Sequence, residues 1–399
     1  MSAPLSPNIR NRFILLFTYF FLFGFGGAAY IVRLPEVRSL LGINTAQMGW
    51  VLFAGAVGAL FSLLISGKFI ARFGSRIATV LGFTFLSLGQ VITGLGAVNG
   101  SVALVTVGSL ISGIAYGIGD VGINVEGAAQ EKEAKRSLLP QLHGAFSLGT
   151  LSGAVVGTIF LSTDISLLWQ QVGVAIISLI VVLVSFRGIP SATGRTTRHI
   201  ETNSKPRLRI EKRLLFLGIG ILGLTLAEGG ANDWLAMSVV DDVNESETIA
   251  GITFAIAMLG MVILRLTGGK IVDRFGRVLA LRLTTLLGVA GILLVIIAPN
   301  IVILWLGAAL WGVGVALGFP LFISAAADGE DSAPNVSVVA TFGYAAFLIG
   351  PPALGFLGEA WGLTNMFFVL AALLVVSAIF AFAAKPVPDV PHNSNNQIQ

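Results

Sequence analysis

Gly269-Lys-Ile-Val-Asp-Arg-Phe-Gly-Arg277 is a short basic turn, bounded by glycines, between two long apolar runs. It has an echo at Gly67-Lys-Phe-Ile-Ala-Arg-Phe-Gly-Ser-Arg76. Gly67 matches Gly269, Lys68 matches Lys270, Arg72 matches Arg274, Phe73 matches Phe275 and Gly74 matches Gly276. All five pairs share one offset, 202 residues, in a chain of 399. A repeat at half the chain length implies two copies of one unit. In a membrane-embedded chain, paired halves are the architecture of secondary transporters.

The composition places the chain in lipid. Hydrophobic residues make up 55% and charged residues 11%, with a mean hydropathy of +0.90. A water-soluble domain carries about 25% charged residues. No cysteine is present, which removes disulfide frameworks, thiol nucleophiles and cysteine metal sites. The net charge of +4 is spread between apolar runs rather than gathered on one patch, which argues against nucleic-acid binding. The first apolar run is too long for a cleaved signal, and Arg33-Leu-Pro-Glu36 stands where a small-residue cleavage site would be.

Runs long enough to span a bilayer, about 20 residues each, fall near 13–32, 46–66, 77–97, 101–124, 138–160 and 167–186. They resume near 214–237, 248–268, 279–298, 301–325, 336–358 and 363–384. The expected fold is an all-α membrane protein of twelve transmembrane helices in two pseudo-symmetric six-helix bundles. The expected division is a first bundle at 1–186, a basic cytoplasmic linker at 187–212, a second bundle at 213–385 and a disordered cytoplasmic tail at 386–399. With both termini inside, 22 of 24 basic residues lie on the cytoplasmic side, and only Arg33 and Arg38 lie outside. The linker, with Arg187, Arg195, Arg198, Lys205, Arg207 and Arg209, reads as a flexible tether at an anionic membrane surface.

Small residues recur at helix-packing spacing: Gly149, Gly153 and Gly157 on the fifth span, Gly113 and Gly117 on the fourth. Such ladders let helices approach closely in lipid. Gly318-Phe319-Pro320 and Gly350-Pro351-Pro352 mark bends in the tenth and eleventh spans.

Of twenty acidic residues, three fall clearly within spans: Asp120 on the fourth, Glu228 and Asp233 on the seventh. A carboxylate at such depth costs about 2.5–3.5 kcal/mol on insertion scales and marks function by default. A carboxylate in a low-dielectric site also resists ionisation, which suits it to carry a proton. Asp120 and Asn124 share a helix face, as do Glu228 and Asn232. Gln141 lies at similar depth to Asp120 across the fourth–fifth hairpin, and His143 is placed to bond Asp120 or relay its proton. Trp234 and Tyr30 are candidates to shape a sugar site, or members of an interfacial aromatic belt. The Gly229-Gly230 pair offers a break in the seventh span. No paired nucleophile and base, P-loop or metal cluster appears, so neither an enzyme nor an ATP-driven pump is expected.

The repeated turn resembles the signature loop of the major facilitator superfamily, found between the second and third helices of each half. Gly269, Asp273, Arg274, Gly276 and Arg277 carry that pattern in the second copy; Gly67, Arg72, Gly74 and Arg76 carry it in the first, where Ala71 replaces the usual Asp. The resemblance covers about residues 12–385 and implies loops that latch the cytoplasmic side during transport. The runs Gly119–Asn124, Gln141–Gly149, Glu228–Trp234 and Phe342-Gly-Tyr344 through Pro352 resemble the YbjJ-like permeases, which are similar to the fucose permeases. The latter resemblance implies proton–sugar symport with Asp120 and Asn124 at the site. It departs from the pattern in the first span, which has no acid, only Thr18 and Tyr30 as its nearest polar members; Tyr30 stands where the subgroup tends to have Trp. The fifth span also lacks the Gly-Pro pair typical of drug/proton antiporters.

The expected function is secondary transport of a small polar solute, a sugar or related metabolite, across the inner membrane by alternating access with proton coupling. Asp120, Glu228 and His143 are the proton-coupling candidates. Asn124, Gln141, Asn232, Asp233, Trp234, Tyr30 and Tyr344 are the solute-binding candidates. The partners are the solute, protons and the bilayer; no cofactor or metal is expected, and the protein is expected to be a monomer. An efflux antiporter and a non-transporting receptor are the rival readings.

Overall fold

The computed structural model describes residues 7–135, 138–195, 211–328 and 332–387. Twelve helices among them are long and apolar enough to cross a membrane. They are α1 (Asn8–Ile31), α2 (Thr45–Phe73), α3 (Ser75–Val98), α4 (Val102–Ala134), α5 (Leu139–Ser162) and α6 (Leu167–Gly188), then α7 (Lys212–Asp241), α8 (Glu247–Phe275), α9 (Arg277–Ile297), α10 (Ile301–Ala326), α11 (Pro334–Trp361) and α12 (Leu363–Ala384). A backbone in hydrocarbon must satisfy its own N–H and C=O groups, and the helix does so within one segment. The outward-facing side chains are apolar: Leu64, Val184 and Ile297 are strongly exposed, as lipid-facing residues should be.

The two halves repeat one packing scheme. α1 packs along α5, α2 along α4, and α3 along both α4 and α6. Six helices on, α7 packs along α11, α8 along α10, and α9 along both α10 and α12. The glycine ladders make close approaches among these. A Cβ at Gly149 or Gly153 would fall on the carbonyl oxygen of Phe21 or Phe25 in α1, and one at Gly113 on that of Gly55 in α2.

The repeated turn has one geometry in both copies. Gly74 adopts φ 87°, ψ 163° between α2 and α3, and Gly276 adopts φ 78°, ψ 160° between α8 and α9. The positive φ explains why glycine stands at both positions. The repeat also extends to a partner that sequence comparison of the turns does not reveal. Glu126 and Asp328, again 202 apart, lie within the last part of α4 and just after α10. Glu126 binds Arg12 at 2.9 Å and Ser75 at 3.3 Å. Asp328 binds Arg277 at 3.1 Å and Arg213 at 3.5 Å.

The first copy has an addition that corrects one expectation. Residues 187–195, assigned to a flexible tether, pack onto the turn between α2 and α3. Ser75 N donates to Thr193 O at 2.9 Å, Arg195 Nε to Phe73 O at 3.1 Å and Arg76 Nε to Ile189 O at 2.5 Å. The rest of the expected linker, 196–210, and the tail from 388 lie outside the described residues.

Candidate functional site

The bundles meet along two crossings, α2 with α11 and α5 with α8. At the face opposite the termini the chain is closed. A short helix, Leu34–Leu41, follows α1 there. Its Arg38 forks onto both carboxylate oxygens of Asp241 at the end of α7 and also donates to Thr45 Oγ1 at 3.3 Å. Thr45 N, in the first turn of α2, donates to Glu359 of α11 at 2.9 Å. Below these contacts Gly49 of α2 lies against the Pro351 carbonyl and Gly355 of α11, so a Cβ there would stand 2.7 Å from Pro351 O. The prolines inside α11 thus coincide with its closest approach to the other bundle.

Among the described residues, the hydrogen bonds and ion pairs that join the two bundles are Arg38–Asp241 and Thr45–Glu359, both at that closed face. Toward the termini, no hydrogen bond or ion pair of this kind is seen to join them among the described residues. On that side Gln141, His143, Tyr344 and Phe347 are exposed, so the space between the bundles opens toward the face carrying both termini.

Asp120 lies in α4 at membrane depth, half-buried. Asn124, one turn on, turns its amide back and donates Nδ2 to the Asp120 carbonyl oxygen at 2.9 Å. Tyr116 of the same helix, bonded to Phe23 O at 3.0 Å, and Tyr344 of the other bundle both feel the Asp120 charge. Asp120 and Tyr344 thus lie within electrostatic reach of one another from opposite bundles. The expected Asp120–His143 bond is not among the contacts of the described residues. His143 instead sets its ring edge-on to Phe20 of α1, centroids 5.3 Å apart, and lies within reach of the charge of Arg265 from the other bundle.

Glu228 is not a lone carboxylate. Arg265 of α8 donates Nη2 to Glu228 Oε1 at 2.8 Å and Nε to Ala316 O at 3.4 Å. Ala316 lies where α10 is interrupted: its helical segments run Ile301–Val315 and Gly318–Ala326. A broken ladder frees a carbonyl at membrane depth, and a guanidinium satisfies it. Arg265 had been counted with the cytoplasmic basic residues. It instead stands ten residues before α8 ends at Phe275, about 15 Å along the helix. Its signal in the sequence was its place inside the run 248–268, between Leu264 and Leu266.

The remaining candidates separate. Asn232 and Asp233 are half-buried. Asp233 lines a gap of about 10 Å³ with Gly229, Gly230, Phe347 and Pro351, room for about one water molecule. Trp234 is fully enclosed, packed in the second bundle's core. Tyr30 buries its hydroxyl beside Ser109 of α4. In this state neither aromatic presents a face to the opening. The site that the structure assembles is Asp120, Asn124, His143, Tyr344 and the Glu228–Arg265 pair.

Twelve spans in two repeated bundles, closed at one face and open at the other around buried charges, define a secondary transporter. The sequence profile of the Major Facilitator Superfamily matches residues 16–329 and 217–399, and the chain belongs to that family. An uncharacterized transporter of the same family from Yersinia pestis is 27% identical over 367 residues, 91% of this chain and 93% of the relative. Two solved structures share the fold. The nucleoside transporter NupG aligns with a TM-score of 0.77 at 16% identity, covering 94% of this chain and 100% of its own. The E. coli fucose:proton symporter FucP aligns with a TM-score of 0.67 at 17% identity, covering 95% and 100%.

Proposed function

We propose that this protein carries a small polar solute across a bacterial cytoplasmic membrane by alternating access, coupled to protons. The observation that carries the reading is Asp120: a carboxylate at membrane depth, in no ion pair among the described residues, within electrostatic reach of Tyr344 of the other bundle. An ionised carboxylate is costly there, so the site favours a protonated or solute-bound form. The bias of basic residues makes the face with the termini cytoplasmic, and the state described is then inward-open. The domain division follows the two bundles.

The nucleoside and fucose:proton transporters that share the fold make hydroxylated solutes the first class to test. Purified protein in liposomes, given an inward proton gradient, is expected to accumulate a labelled solute from a panel of nucleosides, hexoses and hexose acids. Asp120→Asn should retain exchange of solute across the membrane and lose accumulation driven by the gradient. Accumulation by Asp120→Asn equal to that of the wild type would overturn the coupling role. Gradient-driven extrusion of the solute would replace import with efflux.

A further inference from the structure

Arg265 is used in a way that a purely structural ion pair would not be. Its Nη2 meets one oxygen of Glu228 and its Nε the Ala316 carbonyl, while Nη1 makes no hydrogen bond among the described residues. The side chain is 31% exposed against 15% for Glu228. Its neighbour Leu266 lies across from Gly144 of α5, which puts Arg265 and the exposed His143 on either side of the α5–α8 crossing. Two N–H donors, one from each bundle, thus flank this crossing. A guanidinium with a free edge is a planar fork suited to two parallel bonds with a carboxylate or phosphate.

We propose that the transported solute carries an anionic group, which Arg265 and His143 take between the bundles by displacing Glu228. The inference rests on the transporter reading and names the class of its substrate. The charges balance. Before binding, Arg265 is matched by Glu228. Afterwards the solute anion matches Arg265, and Glu228, released into a poorly solvated site, takes one proton onto its freed oxygen. One proton thus enters with each monovalent anion, and the charge of the site is unchanged. Competition for one arginine becomes the coupling device, and binding to both bundles draws the open side together.

The groups facing Glu228 are few. Of the helices packed on α7, α8 brings Arg265 and α11 brings Tyr344. α10 and α12 carry no charged residue within their spans. Across the opening stand His143 on α5 and Asp120 on α4, and along α7 itself Asp233.

The test is thermal shift and calorimetry on the purified full chain with matched probes: D-gluconate, D-galacturonate and D-glucose 6-phosphate against D-glucose and D-galactose. At least one acid should raise Tm while its neutral counterpart does not, and the arms separate carboxylate from phosphate. Because one proton enters with each monovalent acid bound, binding should tighten as the pH falls, by up to about tenfold per unit. Arg265→Gln should abolish the response. Glu228→Gln should bind the acid as tightly or more tightly and lose the pH slope, because the competitor is gone. The double variant Glu228→Gln/Arg265→Gln removes both charges, so it should fold and still ignore the acid. Three results overturn the proposal: a neutral sugar that binds as well as its acid, loss of binding in Glu228→Gln, or no shift from any acid. The first leaves the transporter reading standing. Accumulation of an acid in liposomes without proton uptake would instead remove proton coupling.

Discussion

The closed face invites a quantitative test through Asp241→Asn. Arg38 and Asp241 are 16% and 24% exposed, between the surface pairs worth about 0.2–1 kcal/mol and the buried ones whose one-sided loss costs about 3–5 kcal/mol. Asparagine keeps one acceptor for the fork but no charge, so the closed state should lose about 1–2 kcal/mol. At about 1.4 kcal/mol per factor of ten, the population open at that face should rise about 5–30-fold. The chain has no cysteine, so a single thiol reports without background. Leu354, 4% exposed in α11 beside the crossing with α2, becomes the reporter as Leu354→Cys. In detergent its labelling by a maleimide should speed by the same factor when Asp241→Asn is added. Adding Arg38→Met to Asp241→Asn should change the rate little further, since the fork has already lost its charged partner. A labelling rate within twofold of the parent would refute the reasoning and leave closure to apolar packing of α2 on α11.

Replacing Gly149 with Leu would drive a side chain into the Phe21 carbonyl and should cost about 1–3 kcal/mol or more by overpacking, read as a lower Tm. Gly173→Ala, where a Cβ meets nothing within 4 Å, should leave Tm unchanged or raise it by about 0.4–1 kcal/mol equivalent. Arg265→Gln alone should destabilise by about 1–3 kcal/mol, discounted from the fully buried case for its exposure, and adding Glu228→Gln should recover most of that in the same melting assay. Arg76→Ala should loosen residues 187–195, seen as faster amide exchange in that segment with α3 protected as before.

Much of the fold was legible because lipid enforces it. Long apolar runs must be helices, and the offset between Gly67 and Gly269 fixed the two-fold repeat before any coordinate. Asp120 and Glu228 stood out because an acid in an apolar run is costly. Arg265 did not, because arginine is common where spans meet the cytoplasm and α8 runs past the expected end at 268 to Phe275. Only the true length of the helix shows how deep the residue lies. Trp234 has a ring suited to a sugar site, yet one helical step of about 100° from Asp233 turns its side chain from a gap into the core. The Arg38–Asp241 and Thr45–Glu359 contacts pair residues from opposite halves, which no local pattern in one chain reveals.

The docking of residues 187–195 changes where the molecule divides. Thr193, Arg195 and Ile189 are bound to the α2–α3 turn, so they travel with the first bundle. The first bundle therefore does not end where α6 leaves the membrane but runs on at least to Arg195. A reporter domain inserted at Ser191 would wedge open one bundle's own scaffold. A chain severed after Arg195 would yield a first half that keeps its clasp.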